Sequence, residues 1–589
     1  MKLLKFNILT LAVITWAQAS GQVVLRNDGK MNVAGGFLNL VGNYQNETSG
    51  GITIDGTIKL TGDWTNNTTG NIIESPGNNG EVIFAGSSTQ TIGGSATNYF
   101  AFEKLTVNSG AIVQLTAGKA VTAYGASTFT SPLVLKTTTG RQPLTATFIN
   151  NSTVTGNISA DMYYYGTGTS AKTGGRTWYC SPPTSNATAA VFNVAGGANL
   201  MSWYNTATGA YVRITTNATT LNPMQGYELR AAASNTFNFT GPPNTGTFPL
   251  SNMKGIGSQD GFYLMGNPYP SVLDWSQITM TNLYTTLWYR TMNPSNQMVY
   301  DTWNGSIGTN NNGTASVDGK IPPMQSFWVC VIGGLTGAMS FDNTARTHDW
   351  GSAPFIKSAK LNNFDALRIG IVGNGSKDEQ IIMQIEDAKD SMDRWDALKL
   401  FLNQPSIAEI YTLSSEKKRL VIQAVAPVTS DKSFPLGLKI GQAGNYKFVA
   451  GLNDSRPGFT YFLEDKQQNV LQDLSLNPEY DFTSNVVNDT AGSRFVIHVK
   501  TILKPDDPTN RPVTETNPVI IYTSGQQIII KQCPVGSDIM VYDALGRLVY
   551  ETMAETDFKV ISTNLQNGYY IIKVIDRSKV ISRIVPISF

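Results

Sequence analysis

Two histidines, His348 and His498, and three cysteines, Cys180, Cys330 and Cys533, are the whole stock of imidazole and thiol in this sequence. A Ser-His-Asp or Cys-His hydrolase needs a base within reach of its nucleophile. His348 sits in a polar connector, Arg346 to Trp350. His498 alternates between Ile497 and Val499, as one residue of a regular strand face would. No G-x-S-x-G elbow, H-E-x-x-H zinc helix or phosphate-binding loop is present. Thiols and imidazoles this scattered do not make a zinc set. An odd, sparse cysteine count argues against a disulfide framework and leaves room for one bridge that the sequence does not assign.

Carboxylates are the other chemical resource. Asp387, Asp390, Asp393 and Asp396 recur at every third residue. Oxygen-rich loops can hold calcium, but the usual alternate-residue spacing around a central glycine is missing. A solvated polar turn is the plainer reading, so no cofactor is expected and calcium is the one metal candidate. Glu464 and Asp465 are the nearest approach to the carboxylate pair of a glycosidase, and they look like a strand end. Trp178, Trp203, Trp288, Tyr289, Trp303 and Trp328 would suit a sugar-stacking platform. Aromatics at strand positions more often fill a core, where each buries well over ~100 Å².

The elements that would position these residues are strands. Charged residues make up 14% of the chain, against roughly 25% in an average soluble protein. Gly, Asn, Thr and Ser fill the difference and favour turns and strands. The formal net charge of +1 recommends neither nucleic acid nor an acidic membrane as partner. At 589 residues the chain is long for a single core. The fold expected is all-β and multidomain, and helical periodicity beyond about two turns is lacking.

From 22 to 160 short strands alternate with Gly and Asn. Gly36 to Asn46 matches Gly56 to Asn66 twenty residues later, and Gly80 to Gly86 gives a weaker echo. A period near twenty residues is what successive coils of a β-solenoid produce. A sandwich with similar hairpins is the alternative. Asn and Gly suit the corners because both tolerate left-handed backbone angles. Residues 161 to 350 hold two related β units. Trp178 to Ser185 lines up with Leu264 to Ser271, Trp203-Tyr204 with Trp288-Tyr289, and Pro223-Met224-Gln225 with Pro323-Met324-Gln325. The second copy is longer, with the excess assigned to the Asn/Gly loop Ser306 to Gly319. From 351 to 502 about eight short strands suggest a sandwich, its first hairpin turning at Gly373-Asn374-Gly375. Residues 503 to 516, rich in proline, read as a linker.

The two ends speak of export. Lys2 and Lys5 precede a short apolar run, Ile8 to Trp16, and Ala17-Gln18-Ala19 is a small-x-small cleavage site, so residues 1 to 21 read as a secretory signal peptide. No later stretch reaches the ~20 apolar residues of a spanning helix. Residues 517 to 589 read as a small antiparallel β module. They carry Tyr542-Asp543-x-x-Gly546-Arg547 and then Gly568, Tyr570 and Lys573 ahead of a last strand that opens at Lys579. This stretch resembles the C-terminal, type A sorting domain of cargo of the type IX secretion system in Bacteroidetes. The resemblance implies an Ig-like sandwich and a secreted or cell-surface location outside the outer membrane. It also implies partners in the translocon and its sorting-domain peptidase, and attachment of the passenger to surface lipopolysaccharide. The segments around Gly266-Asn267-Pro268 and Pro322 to Val329, and the Asp393-x-Trp395-Asp396-Ala397-x-Lys399 stretch, resemble recurring parts of such cargo. Asp390-Ser391-Met392 and Asp489-Thr490-Ala491 are similar to its O-glycan acceptor motif. The function expected is that of a non-enzymatic, adhesin-like or matrix-binding protein. The alternative is a carbohydrate-active enzyme or carbohydrate-binding protein exported by the same route.

Overall fold

The computed structural model describes residues 16–19, 22–47, 49–68, 79–96, 99–167, 171, 176–351, 365–451, 459–488, 494–501, 519–524, 527–543, 545–562, 565–576 and 579–587. The backbone divides into two compact units, Met1–Ile502 and Leu503–Phe589. The fold is all-β: among the described residues strands are joined by loops and a few single-turn 3-10 helices. Most of the expected signal peptide, all of the linker 503–516 and Asp489 to Ala491 lie outside the described residues.

The N-terminal region is a solenoid of parallel strands. Phe37–Leu40 lies in register on Thr57–Leu60, and that strand on Glu81–Phe84, so the sequence repeat is the strand-pairing offset itself. Gln22–Asn27, Gly42–Asn46 and Trp64–Asn66 stack as a second face. Gly42 makes one corner at φ 150°, where a Cβ would stand 2.0 Å from Val23 O. The asparagines work differently from expectation. Asn27, Asn46 and Asn66 are buried strand residues, not left-handed corners. Asn27 Nδ2 donates to Asn46 Oδ1 at 2.8 Å, and Asn46 Nδ2 to Asn66 Oδ1 at 3.4 Å. One coil's amide thus satisfies the next, as a buried polar group requires. Beside this ladder Tyr44 packs on Trp64 with ring centroids 4.4 Å apart.

The solenoid hands over to the next region through one strand. Val154–Tyr164 runs parallel to Ser127–Leu135 on one side and antiparallel to Asn235–Gly241 on the other. It crosses the boundary placed at 160 in the sequence. At the other end Trp16–Ala19, which contains the expected cleavage residues Ala17 and Ala19, pairs antiparallel with Gln22–Asn27.

The duplication is plain in the topology. Arg176–Cys180, Tyr227–Ala231, Asn199–Asn205 and Ala210–Ile214 form one four-stranded antiparallel sheet. Gly261–Gly266, Ser326–Val331, Leu287–Met292 and Met298–Trp303 form another with the same strand order. The copies interlock reciprocally. Ser181 N donates to Met324 O at 3.1 Å and Gly266 N to Met224 O at 2.8 Å. Asn244 Nδ2 donates to Pro182 O at 3.1 Å and to Pro268 O at 2.8 Å, the matching carbonyl of each copy. Asp301, fully buried, holds the extra loop of the second copy through Thr309, Asn311 and Asn312.

Residues 365 to 501 form the expected sandwich from one continuous ladder that bends. Lys432–Ile440 pairs with Phe495–Thr501 by its first half and with Glu409–Leu413 by its second. Leu367, Ile369, Phe448, Phe482, Phe495 and Ile497 fill the space enclosed. The hairpin between Asp365–Gly373 and Ser376–Gln384 turns at Asn374 and Gly375, both at positive φ.

The C-terminal unit has sheets of three and four strands around Ile528, Ile530, Ile539, Val541, Ile572 and Val574. Asp543 locks its hairpin: Oδ1 accepts from Leu545 N and Arg547 N, each at 2.9 Å, and Oδ2 accepts from Arg547 Nε at 2.7 Å. Gly546 supplies φ 77°. Tyr570 is buried and its hydroxyl donates to Gln566 O at 2.9 Å, two residues before Gly568 opens the strand. Lys573 Nζ stands 5.1 Å over the Tyr542 ring. Lys579 begins the last strand.

Candidate functional site

Where the last solenoid coil meets the two interlocked copies, the surface opens into a cleft of about 70 Å³. Val154–Tyr164 brings Tyr163 and, just past its end, Tyr165 to one wall. The first strand of copy one brings Trp178, the lead-in to the last strand of copy two brings Gln325, and the connector brings Trp350. These side chains are half-buried. Trp178 is fixed by its Nε1 donating to Tyr165 O at 3.1 Å, and Tyr165 by the Arg176 guanidinium 4.6 Å from its ring centroid. Arg141, exposed on the opposite lip, donates to Asn293 O at 3.2 Å.

A second hollow of about 30 Å³ shares Arg141, Trp178, Pro322 and Gln325 with the first, so the two run together as one groove. Its far end adds Arg290 and Lys320. Arg290 is held from behind: Nε donates to Thr177 O at 3.0 Å, and the guanidinium faces the rings of Tyr179 and Tyr300. The hydroxyls of these two tyrosines lie 2.8 Å apart. Among the described residues the lining offers aromatic faces, amides and the cations Arg141, Arg290 and Lys320, the last already paired with Asp274 Oδ2 at 2.6 Å. That is the chemistry of holding a polyhydroxylated or anionic ligand, with stacking against its C–H faces.

Of the aromatics, cysteines, histidines and carboxylates singled out in the sequence, Trp178 lines both hollows, Cys180 the first and Tyr289 the second, and the others fall elsewhere. Of the six aromatics, Trp288, Tyr289 and Trp328 are buried, and Trp178, Trp203 and Trp303 are half-buried. Trp178 is the one central to the groove. Cys180, Cys330 and Cys533 are free and buried, and burial pushes the Cys180 thiol up to about 12. His348 is wedged against the solenoid, Nε2 2.9 Å from Thr122 Oγ1 and Nδ1 2.7 Å from Thr147 Oγ1. Burial, with Arg346 beside it, lowers its pKa to about 3.

The acidic run divides into separate tasks. Asp396 is buried and accepts from Ala424 N at 2.8 Å and Asp393 N at 2.9 Å; burial raises its pKa to about 7. Asp393 accepts from Lys389 N and Trp395 N, each at 2.8 Å, Asp390 pairs with Lys432, and Asp387 is exposed. Glu464 and Asp465 point to opposite faces, as neighbours on a strand must. Asp465 takes Arg494 through Nη2 at 2.7 Å, while Glu464 turns outward.

One constellation escaped sequence reasoning. Ser433 Oγ lies 2.8 Å from His498 Nδ1, and His498 Nε2 lies 2.9 Å from Glu464 Oε2. Three adjacent strands place them on one sheet face, through the register Ser433↔His498↔Phe462 with Glu464 two residues further along. They line neither part of the groove. Only the pairing register, unknowable from residues 65 positions apart in sequence, brings this set together.

No curated protein matches the sequence. A solved structure described as "Biofilm associated protein - BSP domain" is similar at 8% identity over 74% of this chain and 93% of that one, with a TM-score of 0.11. A family described as a domain of unknown function, DUF8693, matches residues 54–499, and the chain belongs to that family.

Proposed function

We propose that this chain is an exported, non-enzymatic surface or secreted protein of adhesin-like, matrix-binding kind, and that its groove takes an extracellular glycan. In this reading the N-terminal segment is a secretory leader, and the C-terminal unit is the type IX sorting domain read by the translocon and its peptidase. Support for the export part is the sequence motif, whose Asp543, Gly546 and Arg547 close one tight hairpin in a unit compact by itself. Among the described residues no helix is long and apolar enough to cross a membrane.

The observation that carries the binding part is the groove lining: Tyr163, Tyr165, Trp178 and Trp350 beside Arg141 and Gln325. Sugar rings present C–H faces to the aromatics and hydroxyls to the amide and guanidinium. The test is a polysaccharide array with the purified full chain, followed by Trp350→Ala and Arg141→Ala. Binding without new reducing ends, weakened at least about tenfold (~1.4 kcal/mol) by either change, is the expected result. Binding unaffected by both changes removes the groove from the reading.

The second reading is a carbohydrate-active enzyme or other hydrolase on the same route. The Ser433, His498 and Glu464 alignment is the observation on that side. Turnover in the same assay, abolished by Ser433→Ala or by a single carboxylate change, would establish it.

A further inference from the structure

Lys399, the last residue of the Asp393-to-Lys399 stretch, has no part in the groove. Its backbone N–H donates to Arg419 O at 2.9 Å, which aims the side chain at Asp378. Asp378 stands on Ser376–Gln384 ahead of the parallel pairing with Arg419–Val425, which begins at Ile381↔Ile422. Its carboxylate crosses toward Glu409–Leu413, where Oδ2 accepts from Ile410 N at 2.7 Å. Oδ1 accepts from Asn311 Nδ2 at 3.2 Å. Lys399 Nζ closes on Oδ2.

Burial separates this pair from the rest. The two side chains are 4% and 8% exposed, whereas the lysine of every other lysine–carboxylate pair among the described residues is at least 21% exposed. Asp378 is the hydrogen-bond acceptor of Nζ, yet an ammonium carries three N–H groups. An ion so placed is poorly compensated for its lost hydration. Glu409, 2% exposed, is electrostatically coupled to both partners. Its own carboxyl is raised by burial, lowered by Lys399 and raised by Asp378.

We propose that Lys399 and Asp378 are joined by an intramolecular isopeptide bond, Nζ to Cγ, with the Glu409 charge favouring the proton on Asp378. Lys399 passes one proton along its hydrogen bond to Asp378 Oδ2 and becomes a neutral amine facing a neutral carboxyl. Its lone pair attacks Cγ, and the Nζ–Cγ bond forms while Asn311 Nδ2 steadies the negative oxygen at Oδ1. The Cγ–Oδ2 bond breaks, and Oδ2 leaves as water with two of the three ammonium protons, the carbonyl re-forming at Oδ1. No oxidant or second reactant is needed. Fixed proximity supplies an effective concentration on the order of 10⁵ M or more, and the dry site favours a neutral amide over two buried ions. The product ties Ser376–Gln384 to the segment after Ala397–Leu398, giving the sandwich a covalent closure while all three thiols stay free.

The test is the intact mass of the denatured full chain after folding. The expected mass is lower by one water than the sequence predicts, with a branched proteolytic fragment joining the peptides of Asp378 and Lys399. Glu409→Gln keeps shape and the pair, and is expected to restore the full mass, as is Lys399→Met. The wild-type reading needs no variant to fold. Wild type at the full sequence mass overturns the proposal, and so does a water loss that survives Lys399→Met. A link that forms undiminished in Glu409→Gln overturns the role given to Glu409.

Discussion

Met224 and Met324 hold the same left-handed backbone, φ 67° and 61°, at matching positions of two copies of one fold, and each carbonyl accepts from the opposite copy. The left-handed region is unfavourable for side chains branched at Cβ. Met224→Val and Met324→Val are each expected to destabilise by roughly 1–3 kcal/mol from the backbone alone, plus the loss of buried volume. Thermal melts of the two single variants check this, and similar losses would show that the two turns do the same work.

The asparagine ladder makes a sharper demand. Asn46→Ala removes the acceptor of Asn27 Nδ2 and of the Tyr44 hydroxyl and the donor to Gly50 O and Asn66 Oδ1, while Asn27 Nδ2 keeps Gly51 O and Asn66 Oδ1 keeps Thr68 N. Each buried hydrogen bond lost costs roughly 0.5–1.5 kcal/mol. A lowered denaturant midpoint for Asn46→Ala, with a smaller loss for an exposed Asn such as Asn32→Ala, is the expected outcome.

His348 gives the stability a pH dependence of known sign. Its pKa is about 3 in the fold against an ordinary 6.5. The unfolded chain therefore takes up the proton first, and stability present above pH 6.5 drains away as pH falls toward 3. Asp396 works in the opposite sense. Its pKa of about 7 lies above the ordinary 3.8, so the folded chain takes up the proton first and gains stability as pH falls through 7. The melting temperature of His348→Gln is expected to fall less than that of wild type between pH 6.5 and 4. Parallel curves for the two proteins would contradict the assignment.

The C-terminal hairpin depends on one carboxylate. Asp543→Ala removes the acceptor of Leu545 N, Arg547 N and Arg547 Nε together. Amide exchange at Leu545 and Arg547 is expected to quicken while that of buried Ile572 and Val574 stays slow. If the unit is the export signal, the same substitution lowers the amount of protein reaching the cell exterior, read by blotting medium and surface fractions.

Features carried by neighbours in the chain are legible in the residues themselves. The all-β character followed from the residue mixture. The solenoid followed because parallel stacking turns a repeat of twenty residues into a pairing offset, as Phe37 against Thr57 shows. The duplicated units followed because each copy must rebuild the same turn, with its own Pro-Met-Gln and its own left-handed methionine. The Asp543 hairpin is closed by residues within four positions of one another.

What only the tertiary structure decided is which distant residues face one another. Asn46 reads equally well as a corner residue, and only the stacking of coils makes it a rung. The groove assembles Arg141, Trp178, Gln325 and Trp350 from three regions of the chain. Lys399 meets Asp378 because Asp378 precedes the Ile381↔Ile422 pairing and Lys399 N is held on Arg419 O, a matter of strand register. Local propensity and periodicity are written in adjacent residues. Register, burial and the company a side chain keeps are set by the whole fold, and for this protein they hold every candidate for chemistry.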